Sequence, residues 1–78
     1  MTSKYNNENA REMFELVKKF NRGLRSVTNE GQDFVFYCGS GKCATGVVVD
    51  MLRSKAFASV TTQANQELQC YVVTAKAS

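Results

Sequence analysis

The chain has 78 residues, with 10 Lys and Arg against 7 Asp and Glu, a net charge of +3, three Cys, and no His, Trp or Pro. This length allows one small domain, and a hydrophobic fraction of 44% is sufficient for a core. No run approaches the roughly 20 apolar residues of a membrane span, and no secretory signal opens the chain. We therefore expect a single cytoplasmic domain over residues 1–78 with no membrane partner.

The absence of histidine excludes several kinds of catalytic and metal site. Ser-His-Asp and Cys-His catalysis need an imidazole, as do the His-containing zinc sites. Cys38, Cys43 and Cys70 are one thiol short of a four-thiolate zinc site, and an odd number of cysteines predicts reduced thiols that serve packing. We predict no enzyme activity, no metal and no cofactor, with an activated thiolate at Cys38 or Cys43 as the catalytic alternative.

The first predicted element is a helix. Residues 1–9 are polar and predict a frayed start or a helix cap, with Asn9 and Glu12 in the spacing of a capping box. Over residues 10–27, apolar side chains recur every three to four positions, which predicts an amphipathic helix ended by residues 28–31. Its predicted buried stripe is Met13, Leu16, Val17, Phe20, Leu24 and Val27.

Residues 33–38 are aromatic and β-branched with little alternation, which predicts a central strand covered on both faces. Two interpretations of the following segment stay open. In the first, Ser40 caps a helix that runs to about Lys55, which is favoured by helical spacing. In the second, residues 43–49 pair back on residues 33–38 as a hairpin, which is favoured by a glycine and three consecutive valines. The buried stripe of the helix would be Ala44, Val47, Val48, Met51 and Leu52.

Residues 57–63 and 67–76 alternate between apolar and polar side chains, with residues 64–66 between them as a turn. This pattern predicts a terminal hairpin. The whole chain therefore predicts an α+β fold in which two helices pack on one face of a three- to four-stranded sheet, in the order (β)αβαββ.

The turn before the second helix suggests an anion site. A phosphate loop would need glycine where Phe36 stands and Ser or Thr where Cys43 stands, so a nucleotide site is not expected. A glycine-flanked helix start with free amides and an adjacent lysine is still able to bind an anion, although a plain strand-to-helix turn is the alternative. The predicted anion-binding turn is Gly39, Ser40, Gly41 and Lys42.

Four basic residues between positions 18 and 25 have no acid among them, which is typical of a phosphate-binding surface or of a solvated helix face. On the predicted helix, three of the four share one flank. Tyr71 is the aromatic residue that we most expect to be exposed and able to stack on bases, whereas Phe34 and Phe36 are predicted core residues. The predicted nucleic-acid-binding set is Lys18, Lys19, Arg22, Arg25, Lys42, Arg53, Lys55 and Tyr71.

The order of helix, strand, glycine-containing turn, helix and hairpin over residues 10–76 resembles the Alba-like fold, which the C-terminal domain of translation initiation factor 3 shares in outline. The resemblance implies a basic turn at residues 39–42, an arm at residues 59–69, nucleic-acid binding and dimers. Two features depart from the family. Only Thr2–Tyr5 could serve as its first strand. The family's basic segment before the first helix is also absent, and the arm contains no Lys or Arg.

Two functions are compatible with the sequence. The first is non-enzymatic nucleic-acid binding, with RNA favoured over DNA. The second is a phage-type inhibitor or antitoxin-like factor that binds a host protein, which requires a surface and no catalytic groups. A homodimer is expected in either case, because burial between two copies would support a small core.

Overall fold

The computed structural model describes residues 4–77, which form two helices and one four-stranded antiparallel sheet. The predicted α+β class is confirmed, whereas the element order is αββαββ because residues 24–30 form a strand where the end of the first helix was predicted. The elements are α1 (Glu8–Lys18), β1 (Leu24–Glu30), β2 (Asp33–Cys38), α2 (Gly41–Ser54), β3 (Phe57–Asn65) and β4 (Cys70–Ala77).

Helix α1 is shorter than predicted at its C-terminal end. Asn7 caps its start instead of Asn9, and the Asn7 side chain accepts a hydrogen bond from the amide of Ala10 at 2.9 Å. The helix ends at Lys18, so the prediction that it continues to Val27 is wrong.

The face that α1 presents to the core also differs from the prediction. Ala10, Phe14 and Val17 are buried, whereas Leu16 and Phe20 are 57% and 77% exposed. The observed stripe keeps the helical period but is rotated about the helix axis relative to the predicted one.

Strand β1 contains a bulge that imitates helical spacing. Its register with β2 shifts between Leu24 and Ser26, and both Leu24 and Val27 are buried although they are three residues apart. In a regular strand this spacing would send the two side chains to opposite faces. β1 ends at Glu30, and Gly31 enters the turn to β2 with a φ of +59°, which glycine adopts without strain.

The strand order β1-β2-β4-β3 places β2 inside the sheet, as predicted. Both helices pack on one face, where Phe36 and Cys38 are fully buried. Val35 and Tyr37 point to the opposite face and are only half-buried, so the prediction that both faces are covered is wrong.

Residues 41–54 form a helix, so the strand interpretation of residues 43–49 is wrong. The Ser40 hydroxyl caps this helix and accepts a hydrogen bond from the amide of Cys43 at 3.2 Å. Three of the predicted stripe residues (Ala44, Val47 and Met51) are buried and Val48 is half-buried, whereas Leu52 is 59% exposed.

The terminal hairpin is confirmed, with its turn at residues 66–69 instead of 64–66. Its strand β3 forms one edge of the sheet, and β1 forms the other. At the β1 edge, the amide of Val27 donates to the carbonyl of Lys4 at 2.8 Å, and Tyr5 forms a single parallel bridge with Val27. The remainder of the predicted first strand, Thr2–Ser3, lies outside the described residues.

Candidate functional site

Three connections meet at one end of the sheet, which we call the loop end. They are the α1–β1 connection (residues 19–23), the β2–α2 connection (residues 39–40) and the β3–β4 turn (residues 66–69). The amide of Gly39 donates to the carbonyl of Gly23 at 2.9 Å, and Arg25 Nη1 lies 3.4 Å from the carbonyl oxygen of Leu68. Backbone and side-chain contacts therefore join all three connections.

The loop end contains a depression of about 340 Å³, which we call the basic depression. It brings Arg22 next to Lys42, and the side chains of both are exposed. Phe20, at 77% exposure, lines the same depression. Its full lining is Phe20, Asn21, Arg22, Gly23, Ser40, Lys42 and Cys43, and none of these residues is acidic.

The N-terminus of α2 opens into this depression. Ser40 accepts hydrogen bonds from two amides of the first turn. Its hydroxyl accepts from the amide of Cys43, and its backbone carbonyl accepts from the amide of Ala44 at 3.1 Å. The remaining first-turn amides, those of Gly41 and Lys42, have no acceptor within a helix and are the groups an anion would use. The first turn contains no acidic residue to oppose the helix dipole.

A buried asparagine fixes the α1–β1 connection against α2. Asn21 is 6% exposed, and its Nδ2 donates to the carbonyl of Val17 and to Oδ2 of Asp50, both at 3.1 Å. A Cβ on Gly46 would overlap the Oδ1 atom of Asn21. Gly46 therefore leaves the space that Asn21 occupies next to Arg22 in the lining of the depression.

The predicted basic set divides into separate groups. Lys18 and Lys19 line another depression, of about 570 Å³, together with Glu12 and Glu15. Lys18 Nζ is also 5.1 Å from the centroid of the Phe14 ring. Two acidic residues therefore line the depression of Lys18 and Lys19, whereas no acidic residue lines that of Arg22 and Lys42.

Arg25 does not share a helix flank with Lys18 and Arg22, because it lies in β1 and extends across Gly39 toward Leu68. Arg53 and Lys55 also lie apart from the depression. They follow Lys42 by 11 and 13 residues on or just after α2, which places them about 16 Å or more along the helix axis, at the opposite end.

Tyr71 is at the loop end but is less exposed than Phe20. It is 40% exposed, and its ring lies 3.5 Å from the position of a Cβ on Gly41. The more accessible aromatic ring is Phe20, which the sequence pattern had placed in the core. A phenylalanine three residues after a buried valine fits either position, so its exposure depends on where α1 ends.

The three cysteines are free and buried at the same end of the sheet. Burial raises the pKa of the Cys38 thiol from an ordinary 9.0 to about 12, and a hydrogen bond with Cys43 adds to this effect. Cys38 is therefore a protonated packing group at neutral pH. Among residues 4–77, no group of His, Cys, Asp and Glu side chains could hold a metal ion.

Comparison with protein-family models, curated protein sequences and solved structures finds no significant match to this chain. Neither helix described in residues 4–77 combines the length and the apolar character that crossing a membrane requires.

Proposed function

We propose that this protein binds single-stranded nucleic acid, with RNA favoured, through the basic depression and without catalysis. The observation that carries the proposal is the convergence of Arg22 and Lys42 at the N-terminus of α2 beside the exposed ring of Phe20. A cytoplasmic location is part of the proposal, and the resemblance to the Alba-like fold stays a prediction.

The phosphate-binding part of the proposal rests on uncompensated positive charge. Both ion pairs in residues 4–77 are made by Arg11, with Glu8 and Glu15. Arg22 and Lys42 are thus available to a ligand, and the dipole of α2 adds positive potential at the same place. A phosphate held there would contact two side-chain cations and the first-turn amides.

The preference for a single strand rests on Phe20. An exposed aromatic ring beside two cations offers one face to an unpaired base while the cations bind the neighbouring phosphates. Stacking of this kind is worth about 1–3 kcal/mol per base and requires a base outside a duplex. Bases in a duplex are already stacked, so the ring would add little to duplex binding.

The test measures fluorescence polarisation of a labelled mixed-sequence RNA of about 20 nucleotides in about 50 mM salt. Arg22→Glu/Lys42→Glu should abolish binding. The matched control is Arg53→Glu/Lys55→Glu, which makes the same change in net charge at the opposite end of α2 and should retain most of the affinity. Equal losses in both variants, or no binding by the unmodified protein, would reject the proposal.

A salt titration then separates the two contributions. Arg22→Gln/Lys42→Gln should reduce the slope of log affinity against log salt by about 1.4, since each neutralised phosphate of a single strand contributes about 0.7. Phe20→Ala should lower affinity without changing this slope, because stacking releases no counterions.

A protein partner of the inhibitor or antitoxin-like type is the second candidate. It is favoured by Leu16, which is 57% exposed in the larger depression beside Glu12, Glu15 and Lys18. An apolar centre with charged surroundings is typical of protein-binding surfaces. A partner captured from host lysate after nuclease treatment, and lost with Leu16→Glu, would support this candidate over the first.

A further inference from the structure

The outer edge of β3 is unusually open for a strand of its length. β3 has nine residues, most of which are exposed, and within residues 4–77 no strand pairs with its outer side. In an antiparallel strand, alternate residues direct their N–H and C=O groups to each side, so this edge presents a row of backbone donors and acceptors.

The sequence of this edge lacks the usual protection against pairing. From Ala56 to Gln66 there is no charged residue and no proline. Edge strands that remain unpaired are commonly protected from pairing by lysine, proline or a β-bulge. In β3, the one register shift lies at the beginning of the strand, between Phe57 and Ser59. From Ser59 to Asn65 the strand is regular and able to accept another strand.

Helix α2 exposes apolar side chains on the same side as this edge. A groove of about 330 Å³ lies between α2 and the sheet, lined by Val48 and Val49 of α2, Thr62 of β3 and Tyr71 of β4. Val49 is 37% exposed, and Leu52, one turn further along the same flank of the helix, is 59% exposed. An element packed beside β3 would therefore also cover this apolar flank.

We propose that a second copy of this chain occupies this edge, with the two β3 strands pairing antiparallel about a two-fold axis near Thr61. The two sheets then join into one eight-stranded sheet, and the α2 helices meet through Val49 and Leu52. This inference does not depend on the proposed nucleic-acid binding.

The absence of charge favours a second copy over another partner. Near a two-fold axis, a side chain of one copy faces the same side chain of the other copy. A charged residue there would therefore face an identical charge and be repelled. Residues 56–66 avoid that repulsion throughout their length. A binding strand for a different protein gains specificity from charges complementary to its partner, and this segment offers none.

The test is the mass of the full chain by sedimentation equilibrium across micromolar concentrations. The unmodified protein should be a dimer, and Thr61→Lys should weaken dimerisation by at least about tenfold, because like charges would meet at the axis. The matched control Thr28→Lys adds the same charge to the opposite edge strand and should leave the dimer intact. A monomeric unmodified protein, or equal effects of both substitutions, would overturn the proposal.

A second variant and a second measurement keep the test decisive if Thr61→Lys fails to fold. Val49→Glu/Leu52→Glu should also produce monomers, since the α2 helices would repel each other. In hydrogen exchange, alternate amides of residues 59–65 should become more protected as protein concentration rises. Protection that is independent of concentration would show that the edge is not an interface between copies.

Discussion

Two buried asparagines, Asn21 and Asn29, hold opposite ends of the molecule in different ways. Asn21 makes two hydrogen bonds through one nitrogen, to Val17 and Asp50, and its oxygen fills the space beside Gly46. It is a single side chain fitted against a glycine. This contact helps to hold the α1–β1 connection, which lines the basic depression, against α2.

Asn29, only 4% exposed, is the centre of a larger network. Its Nδ2 donates to the carbonyls of Gly31 and Asp33, both at 3.1 Å, which closes the β1–β2 turn. Its backbone amide donates to Asn6 Oδ1 at 2.9 Å, and its carbonyl accepts from the side chains of Asn6 and Asn7. Asn29 therefore stabilises the fold through many partners, whereas Asn21 helps to position the candidate site through few.

The largest effect should come from Asn29→Ala. The substitution removes the side-chain donor to the two turn carbonyls and one of the two acceptors of Asn7 Nδ2, and it should lower the free energy of unfolding by about 3 kcal/mol. Urea denaturation measures this change. A loss no greater than that of Asn21→Ala would remove the distinction between the two asparagines.

Gly46→Ala should have the next largest effect. In an ordinary helix this change stabilises by up to about 1 kcal/mol, but here the methyl group would overlap Asn21 Oδ1 and should destabilise by about 2 kcal/mol. The double variant Asn21→Ala/Gly46→Ala should recover most of that loss, because the overlap disappears. Additive effects in the double-mutant cycle would show that the two residues are not coupled.

High pH should loosen the loop end. The raised pKa of Cys38 favours the protonated thiol in the folded state, so its contribution is complete below the ordinary pKa of 9.0 and is lost as pH rises toward about 12. Unfolding midpoints in urea should therefore fall more steeply with pH for the unmodified protein than for Cys38→Ala. Parallel pH profiles would contradict this assignment, and the Asn29 network contains no titrating side chain that would add to the slope.

The smallest effect should follow from Arg25→Gln. The contact of Arg25 with Leu68 is exposed and long, so stability should change by less than about 0.5 kcal/mol. RNA affinity should also fall less than with Arg22→Gln, because Arg25 points away from the basic depression. A larger loss of affinity for Arg25→Gln would move the binding surface toward the β3–β4 turn.

Local sequence patterns predicted the elements in which one period or cap signal is strong, including α2, for which a strand was the alternative. The aromatic and β-branched run of residues 33–38, the serine cap of α2 and the alternation of the last hairpin were all identified. Residues 24–27 were not, because a β-bulge gives Leu24 and Val27 the spacing of a helix. A bulge is set by pairing with β2, and local periodicity cannot show it.

The candidate site was predicted in part. Ser40, Lys42 and Arg22 were identified, and the fold brings them together. Phe20 and Asn21 were not identified as site residues. The exposure of Phe20 depends on where α1 ends, and the role of Asn21 depends on Gly46, which lies 25 positions later in the sequence. A glycine inside a helical pattern was the available signal, and it indicated a close approach instead of a strand.

The segment at residues 4–7 has a consequence for assembly. It occupies the β1 edge through Lys4, Tyr5 and Asn6, so the β3 edge is the one that residues 4–77 leave available to another sheet. One available edge limits association to a closed pair. A chain that lost residues 4–7 would expose an unpaired strand at both edges of its sheet. Its copies could then associate edge to edge in open-ended fashion and form fibres.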